Sequence, residues 1–108
     1  MTNLTQKRCI PCEVGGPALS REEAEKLLEQ IPGWNLNGAA SQLERDFKFE
    51  DFKNAITFAD RVGEIAEAEG HHPVLHVSWG KVRIELSTHA VHGLSGNDFI
   101  LAAKVSAL

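Results

Sequence analysis

The hydrophobic spacing of this chain switches repeatedly between a helical period and a period of two, and that switching constrains the fold more than any single residue. Leu43, Arg45, Phe47 and Phe49 share one parity, while Gln42, Glu44, Asp46 and Lys48 take the other. Val82, Ile84, Leu86 and Thr88 likewise alternate with Arg83, Glu85 and Ser87. Period two describes half-buried antiparallel strands. Between these runs, Phe52, Ala55, Ile56, Ala59, Val62 and Ala66 fall on one helical stripe, which Phe58 and Ile65 widen. The spacing predicts a helix over 51–69, and Gly70 stands where a C-terminal glycine is expected.

The flanking segments complete the pattern. Ser20 with Glu23 three residues on is a capping box, and Ala24, Leu27, Leu28 and Ile31 form the apolar face of a first helix. Pro32-Gly33 stops it. Trp34-Asn35-Leu36 reads as a short strand that turns through Asn37-Gly38 into the run at 43–49. Residues 74–79 read as a strand turning at Gly80-Lys81. A last helix opens at Ser95, with Asp98 as its capping-box acid and Leu94 and Phe99 at the staple positions.

The order is α-β-β-α-β-β-α, which predicts an α+β fold: a four-stranded antiparallel sheet with three helices packed on one face. Residues 19–108 are expected to form a single domain. Residues 1–18 show no period and are rich in Pro and Gly towards their end, so an extended N-terminal arm is expected there. The other sheet face and its edge are expected to leave apolar residues wet, which a homodimer or a dimer of dimers would cover.

Charge and composition exclude several functions. Eleven Lys and Arg against fifteen Asp and Glu give a net charge of −4, with no basic run, which is a poor footprint for direct nucleic-acid binding. No apolar run approaches the ~20 residues that span a bilayer. The N-terminus leads into no apolar signal region, and only two cysteines are present, so a cytoplasmic setting is expected.

The chemistry points to the histidines. All five lie between residues 71 and 92. His71-His72 follow the long helix, and Pro73 holds the chain extended behind them. If the hairpin turns at Gly80-Lys81, the start of its first strand lies beside the end of its second, so His89 is brought to His71 and His72. Imidazoles give and take protons near neutral pH and suit general acid–base catalysis. Three imidazoles also invite a metal, but neighbouring residues on an extended chain point to opposite faces, which makes His71 and His72 awkward joint ligands. His76 is expected on the open sheet face and His92 as a bystander in the loop. Glu67, one turn before His71, could orient it. Glu64, Glu67 and Glu69 otherwise read as a solvated helix face. Cys9-x-x-Cys12 is half of a zinc motif without its second pair, so two free thiols on the arm are the default.

The stretch His71-His72-Pro73, the run Lys81 to His89 ending in Ser87-Thr88-His89, and Gly93-Leu94-Ser95 with Asp98 resemble the pterin-4a-carbinolamine dehydratases. Pro32-Gly33-Trp34 and Cys9-x-Pro11-Cys12-Glu13-x-Gly15-Gly16 are similar to bacterial members. The resemblance implies dehydration of a 4a-hydroxytetrahydropterin to quinonoid dihydropterin in tetrahydropterin recycling, with no metal and no organic cofactor. It implies His71, His72 and His89 as acid–base and substrate-binding groups, with Asp98 beside them. Gly70, Asn97 and His92 depart from the family pattern. The family forms dimers and tetramers. Some animal members act as dimerisation cofactor of a homeodomain transcription factor, so a non-enzymatic interaction module for a regulatory protein is the competing reading.

Overall fold

The computed structural model describes residues 4–9 and 17–108. The elements are α1 (Arg21–Leu28), β1 (Asn35–Leu36), β2 (Leu43–Lys48), α2 (Phe52–Glu69), β3 (Val74–Ser78), β4 (Lys81–Leu86) and α3 (Gly96–Ser106), with 3-10 turns at Leu4–Gln6 and His89–Val91. The order and class are those expected from the sequence. The sheet runs β1-β2-β4-β3 and every pairing is antiparallel. The two hairpins therefore join through β2 and β4, with Leu43 opposite Leu86 and Phe47 opposite Val82.

Parity then decides the faces. Leu43, Val82, Ile84 and Leu86 are fully buried beneath the helices, with Ala55, Val62, Phe99 and Leu101 packed into the same core. Phe47 and Phe49 both stack on Phe58 of α2, at centroid distances of 4.7 and 5.0 Å. Arg45 shares the inward parity because it sits at the rim: its guanidinium lies 4.4 Å from the Phe47 ring centroid and donates to Ser106 Oγ at 3.1 Å. Gly33, at φ +96°, leaves room for it, since a Cβ there would stand 2.9 Å from Arg45 Cζ.

Caps set the helix ends. Ser20 and Glu23 bond reciprocally at the start of α1. Asp51 accepts from Asn54 N–H at 2.8 Å, and Gly70 closes α2 in the left-handed region at φ 67°. The first helix ends at Leu28 rather than Ile31. Ile31 is still buried, but it reaches the core from the turn that follows.

Three expectations need correction. The open sheet face is mainly charged rather than apolar: Arg83 bonds Glu44, Asp46 and Glu85, and His76 bonds Glu85. Exposed large apolar groups do lie at the sheet edge, as expected: Val74 of edge strand β3 (54% exposed) shares the open face with Glu85 and His76, and Trp79 (74%) stands at the turn after it; others lie on α2. There, Phe52 and Ile56 face outward, because the core takes the stripe through Ala55, Phe58, Val62, Ile65 and Ala66. The described start of the chain is not extended throughout: Leu4–Gln6 winds into a 3-10 turn, since Leu4 gains more from burial in the core than from solvent. Cys12 and the rest of the motif after Cys9 lie outside the described residues.

Candidate active site

The end of α2, the start of β3, the end of β4 and the start of α3 meet at one edge of the domain. They border a cleft of about 460 Å³ lined by residues including Cys9, Glu69, His71, His72, Ser87, His89 and Asn97. That volume is ordinary for a small-molecule site. The hairpin does bring His71, His72 and His89 to one cleft, as its register requires.

His71 is set by two local events. Gly70 turns the chain out of α2, and the His71 N–H returns to the Ala66 carbonyl at 3.2 Å, which fixes the backbone at the helix end. The ring then meets Asp98, with Nε2 2.6 Å from Oδ1. Asp98 is fully buried and its second oxygen is used as well: Oδ2 accepts from Thr88 Oγ1 at 2.7 Å and from Ser95 N–H at 3.0 Å. A buried carboxylate is tolerated only with such a full set of donors. Asp98 thus closes its half of the capping box on α3 and holds His71 at the same time. With the carboxylate as acceptor, Nε2 carries the proton and Nδ1 is the ring nitrogen left for other partners.

His72 points the other way, as Pro73 and the extended chain dictate. It is exposed and pairs with Glu67 through Nε2 and Oε2. Glu67 was expected beside His71; it takes His72 instead, because Asp98 occupies His71 from the opposite side. Neither Asp98 nor Glu67 lines the cleft itself: each stands behind a histidine that does. His89 opens the 3-10 turn after β4, and its ring lies 5.6 Å from His92, which adopts φ 53°. His76 is out on the open face with Glu85, at 3.1 Å, away from the cleft. Among the described residues no group of three or more His, Cys, Asp or Glu side chains is arranged to hold a metal ion. No helix among them is long and apolar enough to cross a membrane.

Two cleft residues escaped the reading of the sequence. Glu69 was placed on a solvated helix face, but it is 6% exposed and bonded to Arg8 and the Cys9 N–H. That backbone hydrogen bond is the main reason its carboxyl titrates below the usual Glu value. Cys9 is half-buried against the cleft, and its thiol is pushed up to about 11, first by burial and then by the Glu69 and Asp98 charges. A signal was available for Glu69: a carboxylate in the last turn of a helix opposes the dipole and asks for an explanation.

Comparisons with known proteins give the family. Residues 17–108 match the family model described as Pterin 4 alpha carbinolamine dehydratase. A protein from Methylococcus capsulatus named for pterin-4-alpha-carbinolamine dehydratase is 54% identical over 106 residues, covering 98% of this chain and 93% of that one. A namesake from Chlorobium luteolum is 48% identical over 110 residues, covering 100% of this chain and 96% of its own. Among solved structures, a transcriptional coactivator/pterin dehydratase from Brucella melitensis superposes with a TM-score of 0.78 at 30% identity, over 83% of this chain and 96% of that one. A pterin dehydratase-like RuBisCO assembly factor shares the fold, with a TM-score of 0.59 at 24% identity over 69% of this chain and 87% of that one. With the family model covering nearly the whole described domain and relatives matched from end to end, the chain belongs to the pterin 4 alpha carbinolamine dehydratase family.

Proposed function

We propose that the protein dehydrates a 4a-hydroxytetrahydropterin to quinonoid dihydropterin and water, in tetrahydropterin recycling, by histidine acid–base catalysis. The observation that carries this reading is the cleft shared by His71, His72 and His89, with His71 locked to the buried Asp98. Loss of hydroxide from C4a is slow unless the oxygen is protonated. One imidazolium gives the oxygen a proton, the C4a–O bond breaks and water leaves. The N5 lone pair forms the C4a=N5 bond, and a second imidazole takes the N5 proton, so one proton is given and one taken.

His71 and His89 are assigned the proton transfers and His72 the orientation of the substrate. The support is geometric. His71 is held by a buried partner, as a group needs to be if it meets one atom repeatedly in the same pose. His72 is exposed and tied only to Glu67. Asp98 acts through His71, and Glu67 through His72. The chemistry needs protons on nitrogen, so neither a metal nor an organic cofactor enters it. Exposed Val74 and Trp79 beside edge strand β3, and Phe52 and Ile56 on α2, support assembly as a homodimer or a dimer of dimers.

The test is absorbance of a freshly generated 4a-hydroxytetrahydropterin mixed with the protein. Decay to the quinonoid product faster than the uncatalysed rate is expected. Decay at the uncatalysed rate contradicts the proposal.

A further inference from the structure

Residues 4–9 lie outside the stretch matched by the family model, yet a chain of contacts ties them to the domain. Leu4 is buried in the core. Lys104 Nζ donates to the Thr5 carbonyl at 2.8 Å. Arg8 donates through Nη2 to the Ala68 carbonyl at 3.3 Å and lies 3.0 Å from Glu69 Oε2 through Nε. The Cys9 N–H donates to Glu69 Oε1 at 2.8 Å, and Lys104 Nζ stands 3.7 Å from Oε2 of the same carboxylate.

Glu69 is the centre of this attachment, and its position is costly. It stands in the last turn of α2, at the negative end of the helix dipole, where a carboxylate is disfavoured. Burial adds a desolvation cost that only partners offset. Two cations and one amide supply them, from the N-terminal segment and from α3. Helix stability does not account for a glutamate there. Its effect is to press Cys9 against the cleft that holds His71, His72 and His89. The Cys9 Sγ settles 3.6 Å from the Asn97 carbonyl, at the start of α3.

We propose that Cys9, held in place by the docked segment 4–9, forms a wall of the substrate cleft and touches the bound pterin, with Glu69 the positioning residue that docks it. The inference rests on the pterin reading above and adds a specificity-determining element to it. At neutral pH Cys9 is a neutral thiol, since burial raises its pKa to about 11. It therefore offers a polarizable, largely apolar surface to a flat heterocycle, not a nucleophile. A wall of this kind acts on binding and leaves the proton transfers to the histidines.

The test uses the full chain carrying Cys12→Ser, so that one thiol reports. Glu69→Gln in that background keeps the shape but removes the charge that binds Arg8 and Lys104. KM for the 4a-hydroxytetrahydropterin should rise about fivefold or more while kcat stays within about twofold, the signature of lost uniform binding. An unchanged KM in a folded variant overturns the proposal. Iodoacetamide alkylation of Cys9 gives a second readout that needs no variant of Glu69 and no turnover. Saturating 7,8-dihydrobiopterin should slow it by about fivefold or more, because a touched thiol is shielded. Equal rates with and without the pterin overturn the proposal. Protection by pterin in a protein that fails to dehydrate would support the wall and contradict only the proposed reaction.

Discussion

His71 Nε2 lies 2.6 Å from Oδ1 of Asp98, a carboxylate with no solvent exposure. The pair joins the end of α2 to the start of α3, so the residue that caps one helix also sets a ring at the end of another. Asp98→Asn keeps the shape but offers an amide where three donors converge. Turnover should fall by about one to two orders of magnitude, less than on loss of the ring itself. Leaving a buried donor unsatisfied should also cost about 1–3 kcal/mol of stability. Steady-state kinetics and denaturant unfolding of the same preparation check both; wild-type turnover in the folded variant would contradict the coupling.

His76→Ala should leave kcat and KM unchanged. His76 faces the charged side of the sheet, where it meets Glu85 at 3.1 Å, and strand parity keeps it from the cleft. Its effect on stability should stay within about 1 kcal/mol, as for exposed ion pairs. The assignment fails if His76→Ala is as damaging to turnover as His89→Ala.

The attachment of the N-terminal segment should depend on pH in a stated direction. The hydrogen bond from Cys9 N–H lowers the Glu69 carboxyl below its ordinary value of 4.5. A carboxyl whose folded pKa is depressed contributes stability above its unfolded pKa and loses it as pH falls through the folded one. The segment should therefore stay docked at neutral pH and loosen only below the ordinary Glu range. The Cys9 amide resonance should titrate with a midpoint under 4.5, and a midpoint above that value would contradict the contact.

Chelation should be without effect. EDTA treatment followed by assay is expected to leave activity unchanged, because the proposed acid needs its proton where a metal would bind. Loss of activity on chelation, restored by zinc, would contradict the acid–base reading.

Much of the fold was legible because its signals are local. Ser20 with Glu23, Asp51, Gly70 and Ser95 with Asp98 mark helix ends by their own backbone bonds, and parity marks the strands. The joining of the hairpins through β2 and β4 was not legible, since Leu43 and Leu86 meet only after the chain between them folds. At the site, convergence of His71 and His89 followed from one hairpin register. The partners of the histidines did not: Glu67 lies one turn from His71 in sequence but bonds His72, while His71 takes an acid from another helix. Glu69 and Cys9 were missed for the same reason, because their contacts join residues far apart in sequence. The outward turn of Phe52 and Ile56 shows that a wide apolar stripe does not say which of its edges the core will use.

The central claim is that proton transfers by the His71 and His89 rings, one giving and one taking, drive the dehydration. Stopped-flow absorbance of a freshly generated 4a-hydroxytetrahydropterin, with wild type, His71→Ala, His89→Ala and His72→Ala compared side by side, tests it most directly. The account predicts that loss of His71 or His89 lowers kcat by about one to four orders of magnitude, while loss of His72 raises KM more than it lowers kcat. A folded His71→Ala protein that retains near-full turnover would contradict it.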